Sequence, residues 1–207
     1  MLLLCGIATL ALAGGFQLTD HLLTEITHRY GTAARSRAEQ WRDVINQGAH
    51  LPETEKLARV NAFFNRLPFT SDLEHWKKED YWATPIEMLA TNGGDCEDFS
   101  IGKYITLKEM GVPESRLRLT YVKALRLNQS HMVVTYFPTP YADPLVLDNL
   151  IERIALASQR RDLLPVYSFN GEGLWLAKAR GTGQRVGGSD RIGLWRDLMT
   201  RMHEEQQ

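Results

Sequence analysis

Apolar positions recur at helical spacing in the first half of the chain and alternate in the second. Ala38, Trp41 and Val44-Ile45 share one face of residues 35–48. Leu57, Val60, Phe63-Phe64 and Leu67 share one face of residues 53–66, after a Pro52-Glu53 start. Both stripes predict amphipathic helices that turn their apolar side to a core. Thr84-Pro85 opens a short helix, Ile86–Ala90, which Asn92-Gly93-Gly94 stops. A third long helix begins at Asp95 or Cys96 and runs to Met110, closed by Gly111 and Pro113. Beyond Pro113 the period drops to two. Leu117–Leu125 and His131–Phe137 read as strands joined by a turn at Asn128-Gln129-Ser130, and Pro144–Asp148 as a third. Leu164–Phe169 and Gly173–Ala177 are weaker strands about an Asn170-Gly171 hairpin turn. Gly181–Gly188 reads as a flexible loop. Ser189-Asp190 caps a last helix, Arg191–Glu205, with Ile192, Trp195, Leu198 and Met202 on one face. Helices first and strands second predict an α+β fold with an antiparallel sheet.

Composition narrows the function classes. The 207 residues, 43% of them hydrophobic and 24% charged, describe an ordinary globular chain able to bury a full core. A net charge of −1 offers no basic field for nucleic acid. Residues 1–13, MLLLCGIATLALA, carry no charge and are too few to span a membrane comfortably. They have the length of a signal-peptide core, and Ala11-Leu12-Ala13 before Gly14-Gly15 fits the small-x-small cleavage rule, although no Lys or Arg precedes the run. Export is therefore expected, with residues 14–207 forming one domain. Cleavage would leave Cys96 as the only cysteine, unable to form an internal disulfide and either inert or kept for its reactivity.

The stretch Asn92-Gly93-Gly94-Asp95-Cys96-Glu97-Asp98-Phe99 places that thiol in the first turn of a helix. Free N–H groups and the positive end of the helix favour a thiolate there and could serve an oxyanion. A plainer reading makes Asp95 an N-cap, with Glu97 and Asp98 complementing the helix dipole. His131 opens an alternating strand and Asp148 ends the next, 17 residues on. A thiol nucleophile needs a base and a carboxylate to orient it, and these three residues would supply all of them from rigid elements.

Gly-Gly-Asp-Cys-Glu-Asp-Phe, Ser130-His131-Met132-Val133-Val134 and Leu147-Asp148-Asn149 together resemble the bacterial transglutaminase-like cysteine proteinases, as does Asp80-Tyr81-Trp82-Ala83-Thr84-Pro85 upstream. The resemblance covers roughly residues 30–170 and implies a papain-like or transglutaminase-like fold. It implies Cys96 as nucleophile, His131 as base and Asp148 as orienting acid. It further implies a periplasmic, calcium-dependent endopeptidase. Such an enzyme cuts a large cell-surface adhesin near its N-terminus, disperses biofilm, and is sequestered by an inner-membrane cyclic-di-GMP receptor. Asp95 and Glu97 match the family's calcium positions, and Asp98 is a third candidate. Their carboxylates should raise the Cys96 pKa, and a hard cation would reverse that local sign. Three acids are too few for six to eight oxygens, so other groups must complete the shell. Trp76, Tyr81 and Trp82 either pack in the core and rim or line a substrate cleft or partner surface. The same three catalytic groups would also suit an acyl transferase; a noncatalytic calcium-binding module is the third possibility.

Overall fold

The computed structural model describes residues 18–176 and 183–207, so the expected leader lies outside the described residues. The first helix, α1 (Asp20–Tyr30), escapes the periodicity reading because only Leu23 and Ile26 are buried along it. Gly31, at φ 84°, separates it from α2 (Thr32–Gly48), which starts three residues before the predicted stripe. Then come α3 (Glu53–Phe64), the single turn α4 (Asp72–His75) and α5 (Pro85–Thr91). A reciprocal cap between Thr84 and Glu87, with Pro85 next, fixes the start of α5.

Helix α6 (Cys96–Glu109) is buried continuously from Asp98 to Leu107 and shows no polar face. Such a helix belongs inside a protein. It is packed tightly enough that Gly102 lies against the Phe64 ring, where a Cβ would come within 2.4 Å of a ring carbon. Trp41 of α2 donates its indole N–H to Thr106 Oγ1 at 2.7 Å.

The strands form one antiparallel sheet in the order β4-β3-β2-β1-β5-β6-β7. They are β1 (Leu117–Ala124), β2 (Gln129–Tyr136), β3 (Leu145–Leu147), β4 (Ala155–Leu156), β5 (Leu163–Asn170), β6 (Gly173–Leu176) and β7 (Gln184–Gly187). Four details depart from the sequence reading. Strand β2 begins at Gln129, with Asn128 in the left-handed conformation (φ 52°) ending the turn before it. Strand β4 is only two residues long, too short to alternate. The described part of the expected Gly181–Gly188 loop contains β7, because pairing with β6 overrides its glycine-rich composition. Ser189–Arg191 form a 3-10 turn instead of capping the last helix, and Ile192 precedes α7 (Gly193–Glu204) without a side-chain cap.

The sheet has two unequal faces. Leu119, Met132, Val134, Leu147 and Phe169 join the main core under the helices, with Trp195 of α7 edge-on to Phe169 at 5.4 Å. Val122, Val133 and Val146 form a small second cluster on the opposite face, packed against Ala157, just after β4, and Leu163, the first residue of β5. Among the described residues no helix is long and apolar enough to cross a membrane.

Candidate active site

Strand β3 pairs with β2 only from Val134 to Tyr136, which leaves the edge of β2 open ahead of Val134. The first turns of α6 occupy that edge. Ser100 Oγ donates to the Met132 carbonyl at 2.9 Å, and the Met132 N–H is directed at the Cys96 sulfur. His131, next along the strand, faces the opposite way from Met132 and lies on the side of the small cluster. Asp148 follows β3 onto that same side. His131 Nε2 meets Asp148 Oδ1 at 2.7 Å, and both residues are buried. Burial by itself would push the Asp148 carboxyl up. The hydrogen bond and charge of His131, the Leu150 N–H and Arg160 instead hold it down at about 2. It is therefore a carboxylate, and His131 must carry its proton on Nε2. With the proton on Nε2, Nδ1 is the acceptor nitrogen of the ring.

In the turn before α6, Asn92 takes the left-handed conformation (φ 61°) and ends α5. Gly94 is needed for close approach, since a Cβ there would stand 2.4 Å from Asp98 Oδ2. Asp95 and Asp98 cap the helix reciprocally: Asp95 Oδ1 accepts from Glu97 N at 3.2 Å, and Asp98 Oδ2 accepts from Asp95 N at 3.1 Å. The other oxygen of Asp98 accepts from Ala83 N at 2.7 Å. Asp98 thus plays the first-turn part expected of it and also belongs to a carboxylate cluster with Asp95 and Asp72.

Burial is the main influence that pushes the Cys96 thiol up, and the neighbouring Glu97 charge adds to it. Those two effects outweigh the helix terminus. The half-buried thiol keeps its proton and donates to Glu97 Oε2 at 2.6 Å, while Tyr121 donates to the other Glu97 oxygen at 2.6 Å.

Asp72 was not visible as a site residue in the sequence, where it is one more acid at the start of a short helix. Oxygens of Asp72, Asp95 and Asp98 lie within 4.8 Å of one another. Burial, backed by the surrounding negative charge, lifts Asp72 to about 6 and Asp98 to about 8, and Asp95 is raised as well. Asp72 Oδ1 is buried without a hydrogen-bond partner. Crowded, uncompensated carboxylates with an orphaned oxygen are a donor set that fits a hard divalent cation. Trp82 is core, 2% exposed and stacked on Phe169 at 5.7 Å, whereas Trp76 is half-buried against Tyr81. The structure adds Arg160, whose Nη2 donates to Asp148 Oδ2 at 2.6 Å.

A family model described as bacterial transglutaminase-like cysteine proteinase matches residues 26–169. Legionella pneumophila LapG in its EGTA-treated form is similar in structure, with a TM-score of 0.79 and 44% identity over 88% of this chain and 96% of that one. Its calcium-bound form gives a TM-score of 0.76 and 44% identity over 88% and 98%. No curated protein matches the chain.

Proposed function

The chain belongs to the bacterial transglutaminase-like cysteine proteinases, and from that premise we propose that it is a calcium-dependent endopeptidase with Cys96, His131 and Asp148 as its triad. The observation that carries this reading is the buried His131–Asp148 pair at 2.7 Å beside a strand edge whose Met132 N–H points at the Cys96 sulfur. His131, oriented through Nε2 by Asp148, has Nδ1 left to take the thiol proton. The sulfur then attacks the scissile carbonyl, and the imidazolium returns its proton to the leaving amine. Water, deprotonated by His131, next hydrolyses the thioester and frees Cys96.

Asp95 and Asp98, which group with Asp72, and Glu97, which groups with Asp95 and Cys96, are the residues that would hold calcium. A bound Ca²⁺ supplies positive charge against the carboxylates that crowd the thiol. In the LapG comparisons, one protein is described in both calcium-bound and EGTA-treated forms, which supports a role for the ion here.

The substrate in this reading is a large cell-surface adhesin, cut near its N-terminus so that it is released and biofilm disperses. The site of action is the periplasm, and an inner-membrane cyclic-di-GMP receptor holds the enzyme in check. The test is to incubate the protein with the purified N-terminal fragment of such an adhesin, in calcium and in excess EGTA. Mass spectrometry should find a new free C-terminus in calcium alone. An amine adduct in place of that carboxyl would mean acyl transfer. Cys96→Ala should abolish cleavage while staying folded; a persisting product removes Cys96 as nucleophile.

A further inference from the structure

The face of the sheet that carries His131 and Asp148 is crossed by the turn between β4 and β5, and Arg160 sits on that turn. Its side chain is buried at 4% exposure and lies between two carboxylates. Nη2 donates to Asp148 Oδ2 at 2.6 Å and to Asp162 Oδ2 at 2.8 Å, and Nε donates to Asp162 Oδ1 at 3.0 Å. The forked grip on Asp162 fixes the guanidinium plane. Asp162 is anchored in turn, because its carbonyl accepts from Leu125 N at the end of β1.

The two oxygens of Asp148 therefore have separate duties. Oδ1 takes the His131 ring N–H and the Leu150 N–H, and Oδ2 takes Arg160. A carboxylate with one oxygen free could turn about its Cα–Cβ–Cγ axis and carry the imidazole with it. With both oxygens pinned it cannot. We propose that Arg160 is a positioning residue: by holding Asp148 Oδ2 against Asp162, it fixes the ring of His131 for proton transfer. The proposal rests on the triad reading above. Arg160 touches neither the sulfur nor the base, so its contribution lies in orientation and should appear in turnover and not in substrate binding.

Three variants test it, measured on the adhesin fragment in saturating calcium: Arg160→Gln, Arg160→Lys and Asp162→Asn. Arg160→Gln should lower kcat by about 10- to 100-fold, the range for an outer partner that orients an active group, with KM within about twofold. Arg160→Lys keeps the charge on Oδ2 but not the fork to Asp162, and should recover part of that loss. Asp162→Asn should lower kcat less than Arg160→Gln. A readout that needs no substrate accompanies these. The proton on His131 Nε2, held by a carboxylate, gives a low-field ¹H resonance that should move or broaden in Arg160→Gln and return towards its original position in Arg160→Lys. An unmoved resonance, or wild-type kcat in the folded variants, overturns the proposal. A loss confined to KM also overturns it. If Arg160→Gln fails to fold, the same criteria apply to Arg160→Lys and Asp162→Asn. Cys96→Ala and Asp148→Asn run alongside: cleavage surviving in both would end the triad reading itself, whereas their inactivity beside a fully active Arg160→Gln ends only the role of Arg160.

Discussion

Lys103 lies two turns along α6 from Cys96, 1% exposed, with its ammonium 5.9 Å from the Phe99 ring centre. Burial lowers its pKa from 10.5 to about 7, and the charge of Asp148 offsets only part of that. A cation whose folded pKa is depressed costs stability wherever the folded protein must still bind the proton. The unfolded chain holds this proton up to 10.5 and the folded protein only up to about 7, so stability rises with pH between those values. The whole difference corresponds to about 5 kcal/mol, or about 1.4 kcal/mol per pH unit inside the window. Lys103→Met keeps the aliphatic stem and removes the charge. The variant should be more stable than wild type at pH 6.5, and its advantage should shrink by about 3 kcal/mol by pH 9.5. Urea unfolding of both proteins in EGTA at the two pH values measures this directly, and the difference between them cancels every other titrating group. In thermal melts the same change is about 2–4 °C per kcal/mol for a chain of this size. A gap that stays constant between the two pH values, or a variant less stable at pH 6.5, would refute the buried-charge argument.

Three further outcomes are expected. Asp72 and Asp98 have raised folded pKa values of about 6 and about 8, so the calcium-free protein should lose stability as pH climbs from about 4 to about 8; added calcium should therefore raise Tm more at pH 8 than at pH 5, and equal gains would count against the cluster as the ion's site. Glu97→Gln removes the charge that holds the Cys96 proton, so iodoacetamide in EGTA at pH 8 should label Cys96 about tenfold faster for each pKa unit released; an unchanged rate would show that burial alone sets the thiol. Gly102→Ala pushes a methyl into the Phe64 ring and should cost about 1–3 kcal/mol in urea unfolding, with Phe64→Leu in the same chain recovering part of it; an undiminished midpoint would mean that α6 and α3 can separate freely.

Legibility from the sequence followed burial geometry. Elements with one wet face, such as α2 and α3, show their period because alternate sides meet different solvents. Helix α6 shows none, being buried all round; its start was readable only through Gly94, Asp95 and Asp98, which serve the cap. Strands β4 and β7 depend on their neighbours for pairing and carry no local signal. The chemistry divides in the same way. Cys96 opens α6, His131 lies within β2 and Asp148 follows β3, so all three could be placed by counting along regular elements. Asp72 and Arg160 come from a one-turn helix and a turn, and nothing in their immediate sequence marks them as buried.

The placement of the dyad explains why these outlying residues matter. His131 and Asp148 lie on the thinly covered face of the sheet, whose own apolar cluster is only Val122, Val133 and Val146 with Ala157 and Leu163. Cys96 stands on α6 at the open edge of β2, so the thiol and the His131–Asp148 pair, proposed above as nucleophile and base, are held by different layers of the protein. The main core fixes α6 and the sulfur. It does not fix the thin face, where a strand histidine would otherwise be steadied by three valines and a turn. The charged links from His131 through Asp148 and Arg160 to Asp162, which is tied to β1 through Leu125, supply there the rigidity that hydrocarbon packing supplies on the other side. Polar networks of this kind stabilise little on balance, and this one holds both oxygens of Asp148 although Arg160 Nη1 is buried without a hydrogen-bond partner. The side of the sheet with the smaller core is thus the side where a buried ion-pair chain is found.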